Sequence, residues 1–596
     1  MRRAAAEGIA RRSSWIGYEV GLAVLFAVLL HRSWGTRPDP IIDFGRELYV
    51  PWQLGEGRAL FSELAWFNGP LSPQWNWLMF EVFGVGLRTL VLVNAVLFAL
   101  IVATLHRLLR RFSSAFGAFV ACCVVLLVCG FGQLVDVGNY NFIAPYSHEM
   151  THGILLGLLA TELALSSASV PRLASVSGFL VGLAFLTKPE VFVAALGGAG
   201  LGVVLSAPLT RHRAAAFAGG LCLPPLASAA LLAASHPPWD ALRFTLGGWP
   251  ELFMTDVSDS PFHRAGMGLD APVARIREMF VAAAAAAAVM APGILIARIR
   301  KLAAFPRVAL AASLSAAALL FLLIAKGAPM LASARVLTLL TLAATLFAAV
   351  RLARERTSES VALFAFAAFA LAALLKLGLN ARVVQYGFAL ALPALALASV
   401  GLVDALPRLL SAKGFDAVAA RATALVPLLG FAWFAWATTE LAISQKTVRV
   451  GSGADTFLAD ERGRVLAESL DWLEERPPEQ ARSLVALPEG VMLNYLARIP
   501  NPTPYVNFVP GDLPLFGERN VSASLRVARP ELLAVVHRDT SEYGSEFFGI
   551  DYARDLGDWV RESYVHVRTF GGAPLRRETE FGIEIRAPRE PHPGRR

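Results

Sequence analysis

Apolar runs recur along the first three quarters of this chain, each close to the ~20 residues a helix needs to cross bilayer hydrocarbon. About thirteen stand out, near 15–30, 87–106, 114–132, 150–168, 173–187, 189–207, 214–234, 279–297, 303–325, 331–350, 360–379, 383–403 and 422–442. Composition agrees. Of 596 residues 56% are hydrophobic and 17% charged, against about 25% charged in soluble domains. So few charges cannot cover the surface of a soluble protein of this length, which leaves an α-helical polytopic membrane protein.

The net charge of +8 is carried almost entirely by arginine. A nucleic-acid binder would gather such charge in a groove or stripe. Here it lies at the ends of apolar runs instead. Arg2, Arg3, Arg11 and Arg12 precede the first run, and alternate connections repeat the pattern, from Arg107/Arg110/Arg111 to Arg408/Lys413/Arg421. By the positive-inside rule these segments are cytoplasmic, and an odd number of spans places everything after about 446 outside. The expected site is the inner (plasma) membrane, with the N-terminus cytoplasmic and the C-terminal domain periplasmic or otherwise extracytoplasmic. Four cysteines all fall within apolar runs, so no disulfide framework is implied.

Two regions are expected: a transmembrane part over 1–445, with a first outer loop over about 31–86, and a domain over 446–596. The second region alternates amphipathic and strand-like patterns. Helices are expected near 460–476 and 552–563, with strands at 483–489, 532–538, 564–570 and 581–587. That is a small α/β domain on the outer side.

Chemistry-bearing residues gather on the outer side. In the first loop, Asp43 follows two isoleucines and precedes Arg46, Glu47 and Tyr49. A carboxylate against an apolar surface becomes a better base at neutral pH, whereas a salt bridge to Arg46 would make it merely structural. Trp52, Trp66, Trp75 and Trp77 suit an interfacial belt or a sugar platform. In the second loop, His148-Glu149-Met150-Thr151-His152 spells H-E-x-x-H, so His148 and His152 are candidate ligands for a divalent metal. The preferred reading makes His148 and Glu149 groups for a sugar or acceptor, with helix capping as the plain alternative. Lys188 and Glu190 lie between two apolar runs, where ionisable groups are costly and usually functional, although they are also placed to pair with each other. Lys376, Arg382, Gln385 and Tyr386 stand near the outer ends of two later runs. No Walker-type loop is present.

The pattern D-x-G-R-E-L-Y-x-P from Asp43, followed by F-x-G-P-L-S-P from Phe67, resembles the GT-C superfamily of membrane glycosyltransferases. The branch it is most similar to contains the protein O-mannosyltransferases and the lipid A aminoarabinose transferase, that is, glycosyltransferase family 39-like enzymes. The resemblance implies about thirteen spans and transfer of a hexose or pentose from a polyprenyl-phosphate donor to a hydroxyl, by the inverting route. The hydroxyl would belong to a lipid-linked, glycan or protein acceptor. It implies Asp43 as general base, with Glu47 and Glu149 as further acids. Lys188, Arg382 and Lys376 would bind the donor phosphate, and Arg46, Tyr49, His148 and Tyr386 the sugar or acceptor. No cofactor is required by this scheme. The rival readings are a glycan or lipid transporter, a ligase using a pyrophosphate donor and an intramembrane H-E-x-x-H protease.

Overall fold

The computed structural model describes residues 2–37, 39, 41–42, 44–135, 139–253, 259–299, 301–326, 334–477, 481–577 and 580–589. Asp43 lies outside this set. The chain is an integral membrane protein. Among the described residues, 8 helices are long and apolar enough to cross a bilayer, and three shorter apolar helices accompany them.

Every expected run is helical. They are α1 (Arg2–Arg32), α4 (Leu87–Arg110), α5 (Ala115–Val125), α6 (His148–Ser166), α7 (Leu173–Phe185), α8 (Pro189–Ser206) and α9 (Arg211–Leu232). Later come Pro272–Ala297, Ala304–Lys326, Val336–Arg354, Ser358–Leu374, the segment from Tyr386 to Ala412, and Ala417–Ser444. Their starts are chemically marked. The Ser114 hydroxyl accepts from Gly117 N at 3.0 Å, and Asp416 Oδ1 accepts from Val418 N and Ala419 N at 3.0 and 2.8 Å. These caps satisfy amide groups that a helix cannot satisfy itself.

The loops expected outside are themselves structured. The first holds α2 (Gly45–Gly55) and α3 (Leu71–Phe83), and the third opens with α10 (Pro238–Leu246). The tryptophan series divides. Trp52 and Trp66 are buried inside the protein, whereas Trp75 and Trp77 stay at the surface, where an interfacial belt belongs. Only the latter two fit the belt reading.

After Ser444 the chain turns to sheet. A hairpin of β1 (Val448–Val450) and β2 (Phe457–Ala459) is followed by helix Arg462–Glu474. A four-stranded sheet then runs in the order β3-β4-β6-β5, from β3 (Leu484–Leu487), β4 (Leu532–Val536), β5 (Tyr564–Gly571) and β6 (Gly582–Pro588). β3 and β4 are parallel and the remaining pairs antiparallel. Parallel strands are usually covered on both faces, and here the alternation is explicit. Leu484, Ala486, Leu532 and Ala534 join the core that continues into the membrane helices, while Val485, Leu487 and Leu533 join a second core under Phe508, Leu525 and Leu556. The sheet is therefore continuous in packing with the membrane part.

The sheet region and the first loop are also bonded directly. Ala65 N donates to Pro504 O at 2.9 Å, Arg58 Nη1 to Asn501 O at 2.9 Å, and Leu87 N to Asp455 Oδ1 at 2.7 Å. Gly45 meets helix Met492–Ala497 so closely that a Cβ would stand 2.5 Å from Met492 N. The glycine of D-x-G-R is thus a docking position.

Candidate active site

The H-E-x-x-H segment begins α6, and first-loop side chains meet each of its charged groups. His148 Nδ1 lies 2.8 Å from Glu47 Oε2, and His148 Nε2 lies 3.0 Å from Asn94 Nδ2. The Asn94 amide also donates to Ile143 O at 3.3 Å, which sets its orientation. Assigned from that network, Nε2 accepts and Nδ1 carries the proton that Glu47 receives. The other Glu47 oxygen accepts from Arg46 Nη2 at 3.0 Å. Burial alone would push the Glu47 carboxyl up, but the His148 hydrogen bond and the Arg46 charge outweigh it and hold it below the usual range.

Arg46 spans the site. Its guanidinium lies 5.0 Å from the Trp66 ring centre and 5.7 Å from that of Phe67, and it donates to Tyr146 O at 3.3 Å. Burial opposes its charge, yet Glu47, Glu149 and Asp512 together keep it more firmly protonated than usual. Glu149 is fully buried in the first turn of α6. It accepts from Asn68 Nδ2 at 3.0 Å and from Ser147 Oγ at 2.6 Å, and the helix N-terminus adds favourable dipole charge. His152 Nδ1 lies 2.9 Å from Ser72 Oγ, while its buried Nε2 has no hydrogen-bond partner.

The F-x-G-P-L-S-P segment does more than supply Asn68 and Ser72. Gly69 N donates to Thr187 O at 2.9 Å and Leu71 N to Leu186 O at 3.1 Å. A Cβ on Gly69 would stand 2.1 Å from Leu186 O, so only glycine permits this approach. The loop therefore holds the backbone immediately before Lys188. That lysine begins α8, with Pro189 at the first helical position, where its missing N–H costs nothing.

The expected pairing of Lys188 with Glu190 is not the one observed. Glu190 Oε1 is bonded by Lys376 Nζ at 2.5 Å. Among the described residues Lys188 makes no side-chain hydrogen bond or ion pair, although it is only 8% exposed. The charges it faces are Glu149, Lys376, Glu190 and Arg46. The reason is geometric: Lys188 precedes the helix in extended conformation (φ −135°, ψ 146°), while Glu190 sits inside the first turn and reaches the incoming segment after Leu374.

Other expected residues are distributed differently. Tyr386 packs on Tyr146 with ring centres 4.4 Å apart, which brings it beside Arg46's carbonyl partner. Arg382 faces Arg335, Arg275, Asp270 and Glu278, and no described contact joins it to Lys188. Tyr49 is buried with its oxygen accepting from Asn501 N at 2.7 Å, so it anchors the sheet region and does not line the charged cluster. A surface cavity of about 380 Å³ lies nearby, between Arg58, Ser62 and Glu63 of the first loop and the prolines Pro500, Pro502 and Pro504. It is separate from the charged cluster.

The metal reading of His148 and His152 meets a geometric obstacle. Both His148 nitrogens are engaged, and no group of three metal-ligating side chains forms among the described residues. Sequence reasoning missed Asn94, Asn68, Ser72 and Ser147. Asn94 left a signal, as a lone amide inside an otherwise apolar span. Asp512, 512 residues into the chain, left none.

No protein family matches this chain, and no curated protein does. Among solved structures it is similar to ArnT from Cupriavidus metallidurans bound to undecaprenyl phosphate, at 12% identity and a TM-score of 0.41, over 96% of this chain and 97% of that one. It is also similar to the apo form of the Archaeoglobus fulgidus oligosaccharyltransferase, at 12% identity and a TM-score of 0.43, over 95% of this chain and 74% of that one.

Proposed function

We propose that this protein is a membrane glycosyltransferase that moves a sugar from a polyprenyl-phosphate donor to a hydroxyl acceptor on the outer face of the membrane. The observation that carries the reading is Lys188. An ammonium on a largely buried side chain, with no direct partner among the described residues, is costly, and an anion entering beside it would relieve that cost. Lipid phosphate has the right charge and arrives from the right medium. The motif residues that prompted the resemblance also converge here, with Arg46, Glu47, Asn68 and Ser72 gathered on His148, Glu149 and His152.

In the mechanism, Asp43 takes the proton from the acceptor hydroxyl as its oxygen attacks the anomeric carbon. The bond from that carbon to the phosphate oxygen breaks, and the lipid phosphate departs with the electron pair. One such displacement inverts the anomeric centre. Lys188 and Arg46 stabilise the charge growing on the departing phosphate, the kind of electrostatic contribution usually worth a few kcal/mol. Glu47 has both oxygens committed and is a poor base, so its part is to orient Arg46 and His148. Asp43 is flanked by the buried Ile41, Ile42 and Phe44, and Asp39 Oδ1 accepts from Ile41 N and Ile42 N at 3.2 Å each. Those contacts hold the backbone of Ile41 and Ile42.

The test is to incubate purified protein with a labelled polyprenyl-phosphate sugar and candidate acceptors. The expected result is release of bare lipid phosphate, lost in Asp43→Asn while thermal stability is kept. Movement of intact donor across the bilayer with no bond broken would make the protein a transporter. Undiminished turnover by Asp43→Asn would remove Asp43 as the base.

A further inference from the structure

The cavity between the first loop and the sheet region has two opposed walls. One is the segment 500–504, in which alternate residues face outward: Pro500, Pro502 and Pro504 line the cavity, while Asn501 and Thr503 are buried. Asn501 Oδ1 accepts from Thr503 N at 2.8 Å and its Nδ2 donates to Tyr505 O at 2.8 Å, which fixes that alternation. Proline has a fixed φ and no N–H, so this wall is stiff and offers ring methylenes. The other wall is the tip of the first loop, where Ser62 and Glu63 are both exposed. Phe61, just before them, holds φ at +73°, a strained conformation for a residue other than glycine. Its ring lies flat on Phe244 with centres 4.5 Å apart, and its N donates to Leu64 O at 2.8 Å. These contacts hold the strained turn that sets Ser62 and Glu63 opposite the prolines.

Arg58 is the floor, and its bonds go to the walls. Nη1 donates to Asn501 O at 2.9 Å, to Gln53 Oε1 at 3.2 Å and to the Tyr49 oxygen at 3.4 Å. Nη2 donates to Thr503 O at 3.2 Å and to Glu63 O. The side chains left for a ligand are Glu63 and Ser62. One Glu63 oxygen accepts from Ala59 N at 2.7 Å, and among the described residues the other has no partner and the carboxylate makes no ion pair. Ser62 Oγ meets His236 Nε2 at 3.4 Å, near the limit of a hydrogen bond. The volume of about 380 Å³ falls among those of small-molecule sites.

Such a lining excludes most ligand classes. A phosphate or carboxylate would meet Glu63 and find Arg58 already committed. An acyl chain would strip water from Glu63 and Ser62 and return no hydrogen bond. A saccharide suits both walls, because a sugar ring has a face of C–H groups for the prolines and hydroxyl donors at its edge for the carboxylate, a charge-assisted bond. We infer that this cavity binds a short saccharide, with a sugar hydroxyl donating to Glu63 and a ring face resting on Pro502. That the saccharide is the glycan part of the acceptor rests on the proposed transfer. The link to the charged cluster is Tyr49, whose oxygen accepts from Arg58 Nη1 and from Asn501 N at 2.7 Å and whose helix, α2, also carries Arg46 and Glu47.

The test uses full-length protein in nanodiscs with cellobiose, maltotriose and mannobiose as probes, and binding of a polyprenyl phosphate measured alongside. Wild type should bind at least one of the saccharides. Glu63→Gln keeps an acceptor for Ala59 N but removes the charge, and should weaken that binding at least about tenfold. Pro502→Trp puts an indole into the cavity and should abolish it. Both variants should keep the wild-type melting temperature and bind polyprenyl phosphate as wild type does. Wild type that binds none of the three saccharides overturns the inference, and so does saccharide binding that survives either substitution. Loss of saccharide and lipid together also overturns it, since that marks a structural role. Saccharide binding that responds as expected, without any binding of polyprenyl phosphate, removes the proposed donor and leaves the saccharide site standing.

Discussion

With Glu190 taken by Lys376, Lys188 has no ion-pair partner among the described residues, and on the proposed reading an entering anion would supply one. Two effects of Lys188→Met follow. Binding of a polyprenyl phosphate should fall at least about tenfold, the worth of one charge-assisted hydrogen bond. The melting temperature should hold or rise, because an apolar side chain of similar length replaces a buried ammonium. A fall in both would mean that Lys188 is structural. The Glu47–His148 pair predicts the opposite balance. Glu47→Gln leaves Arg46 buried over Trp66 without its carboxylate, and should cost about 3 kcal/mol by denaturant unfolding. A loss under about 0.5 kcal/mol would be the value of an exposed pair and would contradict the buried geometry. At this scale the sequence showed which residue types mattered and not who bonds whom. Lys188 with Glu190 was the natural pairing by proximity in the chain, but a helix start points adjacent side chains in different directions. Asp512 carried no sign because its neighbours, Gly511 and Pro514, read as an ordinary turn.

Apolar runs fix membrane helices because nothing but a helix satisfies its own backbone in hydrocarbon, which is why each expected run is helical within a few residues, with 8 helices among the described residues long and apolar enough to cross a bilayer. The strands were equally legible, those at 484–487 and 532–536 as short apolar runs and those at 564–571 and 582–588 from mixed polar and apolar positions. The loop helices α2 and α3 were less so, because glycine, proline and tryptophan obscure the period and tertiary contacts decide. One such contact yields a prediction. Gly69→Ala places a methyl 2.1 Å from Leu186 O, so the loop must move off the segment before Lys188. Expression should survive, since the spans are untouched, but lipid binding should fall with that of Lys188→Met. Normal binding by Gly69→Ala would mean that the loop does not position Lys188. A second contact lies where the last membrane helix meets the sheet region. Lys446 donates to Gln133 Oε1 at 2.8 Å, and burial holds its ammonium down at about 7 despite Asp39 and Asp460, with Arg462 and Arg37 adding to the depression. Above that value the unfolded lysine still holds a proton that the native one has released, up to its ordinary pKa of about 10.4. Stability should therefore rise with pH from about 7 towards the lysine's ordinary range. Melting temperatures across this range should show the slope in wild type and a shallower one in Lys446→Met. Parallel slopes would exclude Lys446 as the source.

For the whole molecule, sidedness decides whether the site meets the proposed donor. The loops bearing Arg46, His148 and Lys188 and the sheet region share one face, joined by bonds such as Ala65 N to Pro504 O and by one continuous core. The arginine-rich connections belong to other helix ends. There they also tie helices together: Arg111 grips Glu162 with two bonds of 2.7 and 2.6 Å, and Arg307 holds Asp416 at 2.9 Å. An arginine already paired within the protein contributes less to the positive-inside bias than a free one, so orientation calls for direct measurement. Val527 in the sheet region is 85% exposed, and Arg356 on an arginine-rich connection is also exposed. In a background with Cys122, Cys123, Cys129 and Cys222 replaced by alanine, Val527→Cys should react with a membrane-impermeant maleimide on intact spheroplasts. Arg356→Cys should react only after lysis. The reverse pattern would put Lys188 and Asp512 on the cytoplasmic side, and transfer at the outer surface would then be ruled out however well the site binds lipid phosphate.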